Sequence, residues 1–277
     1  MSLIAKPVNV IHSNESFSED QIDEDFSHFQ FTDCSAYEKV FTRCNFSFCV
    51  FQRSYFRKVR FIECNFTGAK FFDSNFRDAN FERCKFHYSI WKFTLIQQKQ
   101  VLNNLPEWPN VKVLLLQNHK ANANSFGDVK AVRAYLSEEI EANKEHYRRA
   151  MLRNEAYYSS KYSKVGQKLT AIRKYYGLVI DNVIWGHGEK PLRVLFSIIL
   201  LILLTAILQL VFSDNIEKNT LEGSFSGFMA YCANDVKAFI GIQGADVSDF
   251  VKGSLIIFRY VAFSLFVRIL FNKFSWR

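Results

Sequence analysis

FTRCNFSFCVFQRSYFRKVRFIECNFTGAKFFDSNFRDANFERCKF, residues 41–86, carries a phenylalanine at every fifth position. Counting outward in the same register adds Phe26 and Phe31 to Phe41, Phe46, Phe51, Phe56, Phe61, Phe66, Phe71, Phe76, Phe81 and Phe86. Ala36 and Trp91 fill the other two of fourteen positions. Two residues before each centre the chain reads Cys34, Lys39, Cys44, Cys49, Ser54, Val59, Cys64, Ala69, Ser74, Ala79, Cys84 and Ser89, and all but Lys39 and Val59 are small. A helix repeats about every 3.6 residues and a strand every 2, so neither puts each fifth residue on one face. A chain that turns a corner every five residues does.

FTRCN, FIECN, FFDSN, FRDAN and FERCK resemble the pentapeptide-repeat family, over residues 26–93. The resemblance implies a right-handed quadrilateral β-helix, with Phe41 to Phe86 stacked as the repeat core and the small residues filling the space between. Five of the six cysteines are then packing groups, since buried thiols behave as small hydrophobes. No CxxC or Cys/His spacing points to a metal. Ala36 beside Lys39 predicts an irregular turn near the start of the coil. Some members of that family mimic DNA, which needs an acidic rod. Residues 26–93 hold eleven Lys/Arg against six Asp/Glu, so duplex DNA mimicry is set aside.

Upstream, Glu15, Glu19, Asp20, Asp23, Glu24 and Asp25 against Lys6 read as a solvated acidic leader over residues 1–25. No basic region with an apolar core and cleavage site marks a signal peptide. Residues 94–126 read as a cap, with VKVLLLQN as one strand, followed by a linker through ANANSFGD. Residues 127–190 read as an amphipathic helical connector, with Val132, Leu136 and Ile140 spaced along one face. The basic, tyrosine-rich run Tyr157, Tyr158, Lys161, Tyr162, Lys164 and Lys168 has two readings, a solvated face or a surface for anionic headgroups, a nucleotide-like anion or a protein regulator.

Residues 191–277 read as a two-span membrane domain. VLFSIILLILLTAILQLVF, residues 194–212, has no charge and is long enough to cross a bilayer. Residues 250–271 are apolar apart from Lys252, Arg259 and Arg268. Residues 224–240 between them suit a segment that dips in and returns. Lys164, Lys168, Arg173, Lys174, Lys190 and Arg193 precede the first span, and Lys273 and Arg277 follow the second. The intervening loop carries Asp214, Glu217, Glu222, Asp235, Asp246 and Asp249 against Lys218, Lys237 and Lys252. The positive-inside bias places both termini in the cytoplasm, with the spans in the inner (plasma) membrane.

Span, dipping helix, glycine-bearing loop and span resemble the two-span tetrameric cation-channel superfamily, as do GHGEKPLRV before the first span and LFNKFSWR after the second. The resemblance implies a homotetramer conducting ions. The filter departs from it: AFIGIQGADVSD lacks the TVGYG-like stretch whose carbonyls replace a potassium ion's hydration shell. Potassium selectivity is therefore not expected. Gly241, Ile242, Gln243, Gly244, Asp246 and Arg259 are the pore candidates. Arg259 falls near the middle of the second span, and has two readings. It lines the pore and favours anions, or it pairs with Asp246 or Asp235 and holds the structure.

His12, His28, His87, His119, His146 and His187 are scattered, and no HExxH, GxSxG or P-loop occurs. No catalytic residue, metal or cofactor is assigned. The expected function is a homo-oligomeric pore gated by its cytoplasmic solenoid, with a membrane-depolarising role in antiviral defence as its use. The alternative is a membrane-tethered binding scaffold without conductance.

Overall fold

A computed structural model describes residues 11–153, 155–186, 191–212 and 221–274. Lys6, residues 187–190, Asp214, Glu217, Lys218 and residues 275–277 lie outside the described residues. The chain forms two units, Met1–Ile172 and Arg173–Arg277.

In the first unit, very short parallel strands stack into three ladders. One comprises β1 (Ile11–Ser13), β4 (Gln30–Thr32), β7 (Val50–Gln52), β10 (Lys70–Phe72) and β12 (Ile90–Lys92). Another has β2 (Ser16–Phe17), β5 (Ser35–Tyr37) and β8 (Tyr55–Arg57). The third has β3 (Gln21–Ile22), β6 (Val40–Thr42), β9 (Arg60–Ile62) and β11 (Asn80–Glu82). Bridges Asp25↔Asn45↔Asn65↔Lys85 close the fourth side. The result is a β-solenoid of four turns, since five strands stack in the first ladder.

The expected centres from Phe31 to Trp91 lie inside, and Phe26 is partly buried against them. Phe41, Phe46, Phe51, Phe56, Phe61, Phe66, Phe71, Phe76 and Phe86 are 0 % exposed. Rings one turn apart stack nearly parallel, as in Phe51–Phe71 at 4.9 Å and Phe46–Phe66 at 5.1 Å. Rings at adjacent corners meet edge to face, as in Phe61–Phe66 at 5.2 Å. Both arrangements suit aromatic quadrupoles.

The small column has a polar logic as well. Cys64 Sγ donates to Phe41 O, Cys84 Sγ to Phe61 O, and Ser54 Oγ to Phe31 O, each 23 residues back. Cysteine and serine thus fill one role, a small group with a donor for the previous turn. Burial pushes the Cys49 thiol up to about 12, so it is held as an unreactive thiol.

The solenoid starts earlier than residue 26, and residues 11–25 are its first turn rather than a leader. Partners His12↔Phe31 and Phe17↔Ala36 are 19 residues apart, whereas Gln21↔Phe41 are 20 apart. One residue is missing between Phe17 and Gln21, which throws His12 and Phe17 out of the register counted back from Phe26. The acidic residues there serve the next turn: Asp20 accepts from Val40 N, Asp23 pairs with Arg43, and Asp25 accepts from Asn45 Nδ2. The turn holding Ala36 is regular, contrary to expectation. Ala36 pairs with Phe17 and Phe56, whose rings close to 6.0 Å across the space its small side chain leaves.

At the far end, α1 (Gln98–Leu102) and α2 (Pro109–Ser125) cap the coil. VKVLLLQN and ANANS are therefore helical, not a strand and linker. Pro109 fits a first helical turn, where the missing N–H loses nothing. The helix sets Asn118 and Asn122 one turn apart on one face. Asn118 Oδ1 accepts from Trp91 N at 2.7 Å. Asn122 accepts from Thr94 N at 3.0 Å and donates to Thr94 O at 2.8 Å. Asn104 does the same between Cys84 N and Phe81 O, and Gln100 accepts from Phe81 N. Four side-chain amides thereby imitate the next turn, and an edge that would template aggregation is covered.

α3 (Val129–Leu152) packs on α2 through Ala131, Tyr135, Glu139 and Ala142. Val132, Leu136 and Ile140 lie beside that face, half-buried. Small Ala131 and Ala142 allow close approach. Glu139 is tolerated inside because Gln117 and Lys120 both donate to it. α4 (Ala156–Lys161) and α5 (Val165–Trp185) complete the connector, and the boundary between units falls within α5.

The second unit holds α6 (Pro191–Phe212), α7 (Leu221–Ile240) and α8 (Asp249–Phe274). Val194, Ile198, Phe258, Ala262, Phe266 and Ile269 form the contact between α6 and α8.

Candidate functional site

Leu192–Phe212 and Asp249–Phe271 are long and apolar enough to cross a membrane, with 17 % of each apolar window buried within the chain. A core helix of a water-soluble domain would be mostly buried. Phe196, Leu204, Phe212, Ile257, Phe263 and Phe271 all stand exposed.

Polar groups are gathered where α7 meets its neighbours. Asp235 is 0 % exposed. Thr205 Oγ1 lies 2.7 Å from Asp235 Oδ2, and Gln209 Nε2 donates to Asp235 Oδ1 at 2.8 Å. These partners come from successive turns of α6, so the three side chains fix the register of α7 along α6. Gly227, nearer the start of α7, lies against Leu210, which sets the two helices antiparallel.

α7 ends at Ile240, and the chain turns at Gly241 and Gly244, with φ of +88° and +83°. Only glycine adopts such values cheaply. Gly241 N and Ile242 N both donate to Lys237 O, ending the helix. Arg259 closes over this end. Its Nη1 donates to Phe239 O at 3.3 Å, and a Cβ on Gly241 would lie 2.6 Å from that nitrogen. Arg259 therefore pairs with neither Asp235 nor Asp246. Asp235 is satisfied by α6, Asp246 is exposed, and the guanidinium meets the carbonyl-rich end of α7, where a cation is favoured. Its other neighbour is Tyr260, the ring centroid 5.0 Å away.

Arg259 is ten residues beyond Asp249, about 15 Å along α8. Residues 241–248 cover that distance without helix, running from the middle of α8 back to its start. Ile242, Gln243 and Gly244 are exposed along this return. Beneath Arg259, a cavity of about 160 Å³ is lined by Val194, Leu195, Ile198, Phe239, Ala262, Phe263 and Phe266. The sequence pointed to Gly241, Gly244 and Arg259; the structure brings Gly241 and Arg259 together, while Gly244 shapes the exposed return. The sequence reading missed Thr205 and Gln209, which with Ser197 are the polar side chains of residues 194–212 and are spaced one helical turn apart.

The solenoid surface offers a different chemistry. The residue two after each centre is left-handed at every corner. Three of the four corner columns alternate in charge: Asp23, Arg43, Glu63, Arg83; Asp33, Arg53, Asp73; and Glu38, Lys58, Asp78. Pairs Arg43–Asp23 at 2.6 Å, Arg53–Asp33 at 2.7 Å, Lys58–Glu38 at 3.0 Å and Arg83–Glu63 at 2.7 Å link successive turns. The fourth column is His28, Phe48, Gly68 and Tyr88, and Phe48 lies flat over Gly68. Charges matched turn by turn leave no acidic rod. Among the described residues, no group of three or more His, Cys, Asp or Glu could hold a metal ion.

No curated protein matches the chain. Thirteen chains of solved structures do, and two of them are trypsin-treated forms of QnrB1, a plasmid-mediated fluoroquinolone resistance protein. They are 13 % and 17 % identical, each aligned over 31 % of this chain, with TM-scores of 0.16 and 0.13. The alignments span 65 % and 64 % of those chains, just under two thirds of their length. The family model for pentapeptide repeats matches in eight copies over residues 40–78 and 49–87, so the N-terminal solenoid is built of pentapeptide repeats.

Proposed function

We propose that the protein is a homo-oligomeric membrane pore, tetrameric by its likeness to two-span channels, whose C-terminal unit conducts ions under control of the solenoid and connector. α6 and α8 are the spans. α7 enters beside α6, stops at the depth of Arg259, and residues 241–248 return to the face where α8 begins. The observation that carries this reading is that return. Irregular backbone at membrane depth is tolerated only against protein or water, and here it exposes Ile242, Gln243 and Gly244. Arg259 and Gly241 then shape the inner end of the loop, and Asp235 anchors the helix that carries it. In this arrangement Arg259 neutralises the end of α7, and its charge biases conduction toward anions. The membrane is the inner membrane with both termini cytoplasmic, on the charge bias of the loops. The protein performs no catalysis, and its conductance would depolarise the cell as a defence effector.

Ion flux from liposomes holding the full chain tests the pore. Flux that depends on the protein is expected, and none under any ionic condition rejects it. Reversal potentials in a chloride gradient should shift between wild type and Arg259→Ala. An unchanged preference would remove Arg259 from selectivity.

A second reading, a membrane-tethered scaffold, is favoured by the exposed aromatic corner of Phe48 and Tyr88, with Phe93 on the adjacent corner. It predicts that an unrelated two-span anchor in place of residues 191–277 retains function.

A further inference from the structure

α5 carries an apolar stripe that stands exposed among the described residues. Val165, Leu169, Tyr176, Ile180 and Val183 are 75 %, 59 %, 53 %, 54 % and 47 % exposed. With Ile172 and Val179 they recur at three- and four-residue intervals, which on a helix makes one continuous face. The helix uses another side for its own packing, where Ala171 is buried against Ala150 and Tyr158. Exposed Lys168 and Arg173 flank the stripe, and Lys164 and Lys174 lie nearby. Asp181 is the helix's one acidic residue, against Lys168, Arg173 and Lys174.

The end of α5 is fixed to the start of the first apolar span. Arg193 donates to the Asn182 backbone carbonyl and side-chain oxygen, and Ser197 Oγ donates to Ile184 O at 2.8 Å. Arg193 and Ser197 lie in the first turns of α6, where an apolar helix would enter a bilayer.

From these observations we propose that α5 is an interfacial helix that lies on an anionic lipid surface. This rests on α6 spanning the membrane. The stripe enters the boundary between headgroups and acyl chains, and Lys168 and Arg173 extend from its shoulders to lipid phosphates. Charge favours lipid over a second copy of α5, because two such stripes pressed together would oppose basic shoulders. The fixed joint at Arg193 and Ser197 makes α5 the lever through which lipid composition acts on the span.

The test uses the full chain with Cys232→Ser, in which the remaining cysteines are the buried ones of the solenoid. A fluorophore is placed by Ile180→Cys on the stripe, Thr170→Cys on the far side of α5, or Leu204→Cys on α6. Vesicles contain brominated phosphatidylcholine, with or without anionic phosphatidylglycerol. Quenching at position 180 should exceed that at 170 by about threefold in anionic vesicles. It should fall in neutral vesicles, and also on adding Lys168→Glu with Arg173→Glu. Strong quenching at 204 with equal or absent quenching at 180 and 170 overturns the assignment of α5 alone. Shielding of position 180 that grows with protein concentration in detergent assigns the stripe to a second copy and likewise overturns it. Absent quenching at 204 removes the membrane reading and this one with it.

Discussion

The solenoid and the apolar helices satisfy their polar groups in opposite ways. In the solenoid every turn completes the one before it: backbone to backbone, thiol to carbonyl, Arg43 to Asp23, and finally Asn104 and Asn122 to the last open edge. Its phenylalanine centres from Phe41 to Phe76 are all at 0 % exposure. The helices gather Asp235, Thr205 and Gln209 inside and turn Phe196, Phe212 and Phe263 outward. One unit is finished by its own repeat, and the other leaves most of its apolar surface outside its own contacts. Stability should therefore be written into buried side chains in the first unit and into the medium in the second.

The sharpest contrast is a matched pair of truncations. Phe66→Ala empties a site at 0 % exposure whose ring touches neighbours above, below and beside it. It should cost about 3–5 kcal/mol by thermal or denaturant unfolding of the solenoid. Phe263→Ala removes a ring that is 66 % exposed, and in a bilayer-like detergent should change stability by less than about 1 kcal/mol. Comparable costs would break the comparison. Next in size is Asn122→Ala, which strips partners from both Thr94 N and Thr94 O at the buried edge. Each unsatisfied group costs about 1–3 kcal/mol. Asn122→Asp, which retains the acceptor but not the donor, should recover part of the loss.

These effects also mark what the sequence could convey. A five-residue period is unambiguous because one feature, a corner, recurs with one side chain inside it, so Phe41 to Phe86 were readable at once. The first turn was not. A single missing residue between Phe17 and Gln21 shifts the count, and periodicity has no memory across a deletion. VKVLLLQN reads equally as strand or helix, since short apolar runs carry no period, and only Asn118 and Asn122, four apart, argue for the helix. In the second unit the glycines and Arg259 stood out by type. The partner of Arg259 did not, because a backbone carbonyl leaves no mark in a sequence, whereas Asp235 and Asp246 do. Alternating corner charges were present all along at a spacing of twenty, visible only once the turn length is known.

His119 probes a place where the solenoid's self-completion fails. Neither ring nitrogen has a partner among the described residues, and the ring is 1 % exposed between Trp91 and Tyr135. Burial lowers its pKa to about 3, so the folded protein keeps it neutral. Below the ordinary value of 6.5 the unfolded chain takes up a proton that the folded chain refuses. The penalty is absent above that pH, and stability falls by about 1.4 kcal/mol per pH unit as pH drops from 6.5 toward 3. His119→Phe should abolish this contribution and match or exceed wild-type stability at pH 8, because two unsatisfied nitrogens are removed. Unfolding measured at several pH values checks it. An unchanged acid slope in the variant would place the titrating group elsewhere.

The smallest effect concerns the corner charges, and it separates appearance from energy. Arg53 joins Asp33 at 2.7 Å and stands below Asp73 in the same column, but both partners of the pair are well exposed. Solvent screening leaves an exposed pair little net stabilisation, so Arg53→Ala should change stability only slightly. Arg53→Asp is the informative variant. It sets a carboxylate between Asp33 and Asp73 at the ~4.8 Å spacing of adjacent strands. The loss should exceed that of Arg53→Ala at low salt and shrink toward it near 1 M, where the screening length is about 3 Å. A salt-insensitive loss would mean that the corner charges are held away from solvent. The alternating columns would then be part of the solenoid's closed interior. A salt-sensitive one makes them what their exposure indicates: a register mark between turns, weak singly, that penalises any slip bringing like charges together.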